Sequence, residues 1–282
     1  MRTRKFKESN YRSVFINWKT LRIAIDKEKD IWELEYPEFY DLKITNYCTG
    51  WCPYCYQNSI KEGHYKNIIW KTKQLFWDMT ENQKPYQIAI GWGNPNEHPD
   101  FVELLKYLDS IDIMPNYTTN WIWLTKEVIE ATKKYCWGVA VSCHPHLTDE
   151  WMNAVHLLHE NWIKVNLHVL LSDSRSMLNM LYIYNNFKDK VDYLVLLPLM
   201  KMWRQKEEID VNYKKLQWAY EHMDMSKIAF GANFYPYVKD DNLDISLYEP
   251  EIMSKYIDLK WEWSIYKSSF TTEKIRDLWL KE

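Results

Sequence analysis

The feature of this sequence that most restricts its fold is a regular alternation of strand-like and helix-like segments between residues 40 and 198. Short apolar segments predict strands at 40–45, 86–91, 114–118, 139–142, 165–171 and 192–197. Apolar residues at helical spacing lie between them, at 71–82, 101–108, 125–135, 149–160 and 174–187. Repeated β–α units imply a parallel sheet with right-handed crossovers. Six units in about 160 residues are too few for a closed eight-stranded barrel, which needs about 250, so the pattern predicts an α/β fold with a partial barrel.

Three of the five cysteines lie close together after the first predicted strand. They are Cys48, Cys52 and Cys55, a C-x3-C-x2-C spacing. Structural zinc sites are closed by four ligands, and four-iron clusters are normally held by four thiolates. Three thiolates on one loop would leave one iron open to a small molecule. Two alternatives stay open at this point: three free thiols, or a zinc site completed by a distant residue such as His64.

A glycine motif follows the second predicted strand, with the order Gly91-Trp92-Gly93-Asn94-Pro95 and then His98-Pro99. Glycine lets a ligand approach the backbone closely. Together with the cysteine loop, this segment resembles the GGEP-type motif of the radical S-adenosylmethionine (SAM) superfamily. The resemblance implies a partial (β/α)6 TIM-like barrel of the radical SAM type. It also implies a [4Fe–4S] cluster on the three cysteines, with SAM on the open iron, and an enzyme that cleaves SAM to a 5′-deoxyadenosyl radical and abstracts hydrogen from a substrate.

The same resemblance supplies most of the remaining candidate site residues. Asn166 and His168 are candidates because they alternate with apolar residues on the fifth predicted strand and so share one face of it. Arg204 is a candidate partner for a carboxylate or for SAM. Cys48, Cys52 and Cys55 are the metal-binding and catalytic candidates. The candidate cofactor-binding residues are Tyr54, Gly91, Trp92, Gly93, Asn94, Pro95, Ser142, Asn166, His168 and Arg204. Cys143, His144 and His146 follow the fourth predicted strand and are either substrate-site groups, a metal pair or loop residues with ordinary hydrogen bonds. Thr118-Thr119-Asn120 resembles the family's TNG turn.

The tail at 255–270 predicts two strands around a turn. It resembles the hairpin of SPASM or twitch extensions, which occur on many peptide- and protein-modifying members. Those hairpins carry a cysteine for an auxiliary cluster, and this chain has Ser268 in its place. We therefore expect an N-terminal extension at 1–37, a radical SAM core at 38–237 and a C-terminal extension at 238–282. The expected partners are a peptide, protein or small-molecule substrate and an electron donor such as flavodoxin or ferredoxin.

Composition excludes several other classes of protein. The formal net charge of −3 provides no broad basic surface, so nucleic acid is not an expected partner. The basic start, which contains Arg2 and Arg4, is expected to be a solvated chain end. The sequence lacks a run of 18 apolar residues and a signal-peptide core, and clustered cysteines suit a reducing compartment, so we expect a cytoplasmic protein without a membrane segment. The alternative function is a non-catalytic iron–sulfur or zinc-binding, redox-sensing domain that uses the same cysteines.

Tryptophan is unusually frequent and glycine unusually rare. The chain has 16 Trp and 6 Gly, whereas average usage predicts about 20 Gly in this length. Several tryptophans stand where a turn favours glycine, and we question the identity of Trp51, Trp92, Trp121, Trp123, Trp162, Trp203, Trp261 and Trp263. Either these are genuine tryptophans, which could stack on adenine, or the sequence reads UGA codons as tryptophan where the organism inserts glycine.

Overall fold

The computed structural model describes residues 1–17, 19–32, 34–145, 148–200, 204, 221–234, 254–260, 263–269 and 274–278. Three residues singled out from the sequence, His146, Trp203 and Trp261, lie outside the described residues.

A ten-stranded sheet dominates the described residues. Its strands are β4 (Phe39–Lys43), β5 (Gln87–Gly91), β6 (Met114–Thr119), β7 (Gly138–Ser142), β8 (Lys164–Leu171), β9 (Tyr193–Pro198), β10 (Ile228–Phe230), β11 (Ser254–Asp258), β12 (Trp263–Tyr266) and β13 (Lys274–Leu278). Their order across the sheet is β10-β9-β8-β7-β6-β5-β4-β11-β12-β13. Strands β4 to β10 pair in parallel, in chain order, which confirms the predicted series of β–α units. Since β10 and β13 are the sheet's two edges among the described strands, the barrel is open, as predicted.

Within the described residues, five α-helices connect the parallel strands. They are α1 (Ile68–Phe76), α2 (Phe101–Ser110), α3 (Lys126–Tyr135), α4 (Thr148–Glu160) and α5 (Ser174–Phe187). Burial alternates along β8, where Val165, Leu167 and Val169 are buried in the main apolar core together with residues of α4 and α5. Asn166 and His168 alternate with them and so face the opposite, inner side of the sheet.

The first helix differs from its prediction. A helix was expected at 71–82, but α1 begins at Ile68 and ends at Phe76. Thr80 starts a separate turn, because both its backbone N–H and its hydroxyl donate to Gln83 Oε1 at 2.9 Å. This side-chain bonding competes with continuation of the helix.

The N-terminal residues form a small sheet that the sequence did not predict. It contains β1 (Arg2–Phe6), β2 (Tyr11–Ile16) and β3 (Lys19–Ala24) in an antiparallel meander. The expectation of a solvated basic end is wrong for Arg4, which is 1% exposed. Its guanidinium donates to the carbonyl oxygens of Asn82 at 2.9 Å and Pro37 at 2.8 Å. A planar guanidinium with five donors can satisfy several loop carbonyls at once, and this makes Arg4 a buried connector between the two sheets.

The tail joins the barrel sheet directly. Strand β11 pairs in parallel with β4, and β12 and β13 continue the sheet in antiparallel fashion. The predicted two-stranded tail is therefore β11 and β12, with β13 as a further strand. Lys43 Nζ lies 3.6 Å from Asp258 Oδ2, and Lys71 Nζ donates to Leu259 O at 2.6 Å. These contacts attach the tail to the strand that leads into the cysteine loop. Among the described helices, none has the length and apolar composition needed to cross a membrane.

Candidate active site at the cysteine loop

The cysteine loop begins directly after β4, at the carboxyl end of the strand. Backbone hydrogen bonds hold its entry, because Cys48 N donates to Ile60 O at 2.9 Å and Asn94 N donates to Tyr47 O at 2.8 Å. The second bond ties the loop to the residues that follow β5. The loop therefore lies at the mouth of the barrel, where parallel α/β folds place their active sites.

All three loop cysteines are free thiols, and each sulfur has a polar neighbour. Cys48 Sγ accepts from Gly50 N at 3.4 Å and from Asn120 Nδ2 at 3.2 Å. Cys55 Sγ accepts from Ser59 N at 3.4 Å, and Cys52 Sγ lies 3.5 Å from His144 Nε2. Burial raises the pKa of the Cys48 thiol to about 11 and the pKa of the Cys52 thiol to about 12. These thiols therefore release protons when they bind metal.

The geometry fits a cluster better than a single metal ion. Among the described residues, no three His, Cys, Asp or Glu side chains converge closely enough to bind one ion. His64, the residue considered as a fourth zinc ligand, packs on Tyr47 with ring centroids 4.2 Å apart and on His98 at 5.1 Å. In a four-iron cube each cysteine binds a different iron, so the cysteine sulfurs lie farther apart than the ligand atoms of a single zinc ion. Three free thiols on one loop, with hydrogen-bonded sulfurs, are a suitable donor set for such a cluster.

The glycine motif leaves space beside the loop. Gly91 is buried, yet no described heavy atom beyond its chain neighbours lies within 4 Å of the position that a Cβ would take. Gly93 has the opposite character, since its φ is +70° and a Cβ there would lie 2.6 Å from Tyr47 O. Gly91 thus borders an internal space at the end of β5, and Gly93 allows the close contact that places this space next to the cysteines.

The family of the protein follows from this part of the chain. Residues 42–181, from β4 into α5, match the family model described as Radical SAM superfamily. These residues form a radical SAM domain. Radical SAM proteins use a [4Fe–4S] cluster and SAM.

Solved structures with a similar fold are radical SAM proteins of larger size. Streptococcus suis SuiB bound to S-adenosylmethionine has a TM-score of 0.66 and 14% identity, over 86% of this chain and 63% of that chain. SuiB bound to the precursor peptide SuiA has a TM-score of 0.65 and 15% identity, over 87% and 63%. Native anSMEcpe with bound AdoMet and Cp18Cys peptide has a TM-score of 0.58 and 14% identity, over 84% and 76%. This chain therefore spans about 63% of the SuiB length. No curated protein matches it.

The side chain of Asn94 is held by hydrogen bonds within the protein. Asn94 is fully buried, and its Oδ1 accepts from Thr119 Oγ1 at 3.1 Å and from Asn120 N at 3.2 Å. Its Nδ2 donates to Ile122 O at 3.0 Å. The amide is thus occupied in holding the turn after β6, and only the backbone around Asn94 and the buried Pro95 is left for a ligand.

Three candidates lie on the inner side of the sheet. Ser142 at the end of β7 is in register with His168 on β8, and Ala140 is in register with Asn166. Burial lowers the pKa of His168 to about 4, so this imidazole is neutral at neutral pH. Asn166 and His168 share one face of β8, as their alternation with apolar residues predicted, and Ser142 lies beside His168 on the neighbouring strand.

Tyr54 and Arg204 both contact the cysteine loop. Tyr54 Oη lies 3.2 Å from His144 Nδ1, and burial raises the pKa of its phenol. The guanidinium of Arg204 donates to Cys52 O at 3.2 Å and also to Ser59 O, and it stacks over the ring of Trp51 at 4.5 Å. Arg204 was proposed as a partner for a carboxylate or SAM, and in this structure its partners are the carbonyls of the loop.

Sequence reasoning missed two residues beside the loop. Glu97 accepts from Thr49 Oγ1 at 2.5 Å and from Thr49 N at 3.2 Å. Asn120 contacts Cys48, as described above. The resemblance of residues 118–120 to the TNG turn was a signal for Asn120, but no local pattern connects either residue to the cysteines.

Proposed function

We propose that this protein is a radical SAM enzyme that reductively cleaves SAM and uses the resulting 5′-deoxyadenosyl radical to abstract hydrogen from a substrate. One observation carries the proposal: three free thiols lie on the loop after β4, beside the internal space at Gly91. When bound, the cluster supplies the single electron that divides SAM into methionine and the radical. An external donor, such as flavodoxin or ferredoxin, provides that electron.

The residues of this chain position the reactants and exclude water. Cys48, Cys52 and Cys55 bind the cluster, and the backbone at 91–95 lies where the family places the SAM amino group. Ser142, Asn166 and neutral His168 present hydrogen-bonding groups on the inner surface without a net charge. These groups can hydrogen-bond a substrate and orient it, while the cofactor carries the radical chemistry.

We further propose a peptide or protein substrate, with a small molecule as the alternative. Support comes from SuiB, which has been solved with its precursor peptide, and from anSMEcpe, which has been solved with a peptide. The tail gives additional support because β11 extends the sheet beyond β4, and Gln57 in the cysteine loop donates to Ser269 O at 3.3 Å. The tail thus lies beside the cluster loop, where it can contact a long substrate.

Anaerobic reconstitution tests the reaction. The reconstituted protein with SAM and dithionite should form 5′-deoxyadenosine, detected by liquid chromatography and mass spectrometry. Cys52→Ala should remove both the cluster absorbance and the product. Cys136→Ala is the matched control because Cys136 is a free thiol outside the loop, and both signals should persist. A cluster that forms without any SAM cleavage would instead support a redox-sensing domain.

The substrate class needs a separate assay. Short peptides encoded near the gene should increase formation of 5′-deoxyadenosine and should change in mass when incubated with the reconstituted enzyme and SAM. Unchanged peptides, together with normal cleavage of SAM, would contradict the peptide assignment and leave the radical SAM reaction intact.

A further inference from the structure

The amide of Asn120 is a built-in donor to one cluster cysteine. Asn120 follows β6 and is 6% exposed, and its Nδ2 lies 3.2 Å from Cys48 Sγ. Its backbone N donates to Asn94 Oδ1 at 3.2 Å, which holds the residue in place. The contact joins residues 72 positions apart in the sequence, so it depends on the fold.

The orientation of this amide follows from its second partner. Asn120 Oδ1 accepts from Ile122 N at 3.2 Å. A reversed amide would direct an NH₂ group at that backbone N–H and an oxygen at the sulfur, and both contacts would be unfavourable. The NH₂ group therefore faces Cys48.

Gly50 makes room for the amide. A Cβ on Gly50 would lie 2.4 Å from Asn120 Nδ2 and 3.5 Å from Cys48 Sγ. Gly50 does not have a left-handed φ, so the backbone would accept alanine without strain. The absence of a side chain at position 50 thus serves the contact between Asn120 and Cys48.

We propose that Asn120 is a positioning residue that raises the reduction potential of the cluster by donating a hydrogen bond to the Cys48 thiolate. Reduction adds negative charge to the cluster and its sulfurs, and a donor stabilises that charge. Hydrogen bonds to the sulfurs are among the factors that set the potentials of iron–sulfur clusters. This inference rests on the cluster of the proposed function.

Potentiometric titration of the reconstituted protein, followed by electron paramagnetic resonance, tests the role of Asn120. Asn120→Leu should make reduction about tenfold less favourable, which is about 59 mV for a one-electron couple. Gly50→Ala keeps the amide but displaces it, and it should shift the potential in the same direction. Asn116→Leu is the control, because Asn116 lies on β6 and its amide contacts Gln87 and Gly138.

The outcomes separate this inference from the proposed function. If Asn120→Leu and Gly50→Ala bind a full cluster at the parent potential, the role of Asn120 is refuted and the enzyme assignment is unaffected. If Asn120→Leu does not retain the cluster, Gly50→Ala decides the matter. Equal shifts in Asn116→Leu and Asn120→Leu would also refute a specific effect. If even the parent protein binds no cluster, the proposed function itself fails.

A second, independent inference concerns the tryptophans. Among the described residues, ten residues other than glycine have a positive φ. Five are asparagine or aspartate, which tolerate the left-handed region. The other five are Trp51, Trp92, Trp121, Trp123 and Trp162, with φ values between 41° and 75°. A bulky side chain in this region is a true outlier.

Trp162 shows the pattern most clearly. Helix α4 ends at Glu160, Trp162 N donates to His159 O at 2.9 Å, and Ile163 N donates to Leu158 O at 3.1 Å. These two bonds define a Schellman motif, in which the left-handed position is usually glycine. Helix α2 ends with the same pair of bonds and has Asp112 at the equivalent position, with a φ of 59°.

Three of the other left-handed tryptophans surround the mouth of the barrel. Trp51 is in the cysteine loop, Trp121 follows Asn120, and Trp92 directly precedes Gly93. Trp92 and Gly93 are consecutive left-handed residues, with φ values of 62° and 70°. The Trp92 ring packs on Tyr256 with centroids 4.8 Å apart, beside the space at Gly91.

We propose that these five positions are glycine in the native protein and that the sequence reads UGA codons as tryptophan. The five backbone conformations then have one cause, and the glycine count would rise from 6 to 11, closer to the expected value. Trp151 provides the contrast, since it lies within α4, is 2% exposed and packs on Phe187. A residue with that packing is a genuine tryptophan.

Peptide mass spectrometry of the protein isolated from its source organism tests this proposal. Peptides that contain positions 51, 92, 121, 123 and 162 should have the mass of glycine at each, and the peptide that contains position 151 should have the mass of tryptophan. Tryptophan at 92, 121 and 162 in the native protein would overturn the proposal.

Discussion

Replacing Trp162 with glycine should stabilise the protein that has tryptophan at this position. Trp162 occupies the left-handed position that ends α4, with a φ of 61°. Its side chain is 91% exposed, so removing the indole sacrifices little packing. The substitution therefore isolates the energetic cost of the backbone conformation.

The magnitude follows from two opposing effects. A left-handed backbone costs an L-residue about 1–2 kcal/mol. Glycine removes that cost, but its greater freedom in the unfolded chain destabilises the fold by about 0.5–1 kcal/mol. The net stabilisation is about 0.5–1 kcal/mol. For a chain of this size, 1 kcal/mol shifts Tm by about 2 °C, so we expect Tm to rise by about 1–2 °C.

Trp77 offers a matched control on the same protein. It is 80% exposed and stands at the end of α1 with a right-handed backbone, φ −54° and ψ −46°. At a right-handed helical position glycine is about 0.5 kcal/mol less favourable than tryptophan, so Trp77→Gly should lower Tm by about 1 °C. Trp162→Ala is a second control, because it removes the indole but keeps the left-handed strain.

Differential scanning calorimetry, with urea denaturation at the same pH, provides the measurement. We expect Trp162→Gly and Trp77→Gly to shift Tm in opposite directions, and Trp162→Ala to stay close to the parent. A fall in Tm for Trp162→Gly would refute the argument from backbone strain. An equal rise for Trp162→Ala and Trp162→Gly would assign the effect to removal of the indole instead.

Three further predictions follow from the barrel interior and the cysteine loop. Burial raises the pKa of Asp41 from 3.8 to about 7, so the native state binds a proton that the unfolded state has lost, and the free energy of unfolding falls as pH rises from about 4 to 7. Asp41→Asn should abolish this fall, which is worth up to about 4 kcal/mol in urea denaturation at pH 8. An unchanged pH profile of stability in the variant would contradict the prediction. Arg204→Ala should lose its cluster to a chelator several-fold faster because the bond to Cys52 O is removed, with Arg204→Lys intermediate; equal loss rates would show that the loop holds without it. Trp92→Gly should tighten SAM binding several-fold in anaerobic calorimetry, because it removes a bulky side chain from the backbone segment proposed to bind SAM. An unchanged Kd would contradict this.

The parallel strands and the cluster loop were predictable because their signals are local. Each strand is a short apolar run with its own flanking turn, and the cysteine spacing lies within eight residues. The left-handed conformations of Trp92 and Trp162 were predictable for the same reason, since a neighbouring glycine or a helix end specifies the turn. These features need only a few adjacent residues to be recognised.

The contacts around the loop could not be predicted in this way. The sequence gives no sign of the partners of the Asn94 side chain, which Thr119 and Asn120 approach only after folding. Arg4 reads as a solvated basic residue until the loop carbonyls of Pro37 and Asn82 surround it. In each case the partners are more than 20 residues away, and the choice between water and protein depends on which polar groups the fold brings together.

The amino-acid pattern therefore determined the order of strands and helices, the three thiols and the turns that demand glycine, because each is set by residues close together in the chain. Folding decided which groups share the barrel mouth with those thiols. The amide of Asn120 and the guanidinium of Arg204 reach the loop from distant positions, and strand β11 pairs with the strand that leads into it. Hydrogen bonds and packing act across space rather than along the chain, so these contacts exist only in the folded molecule.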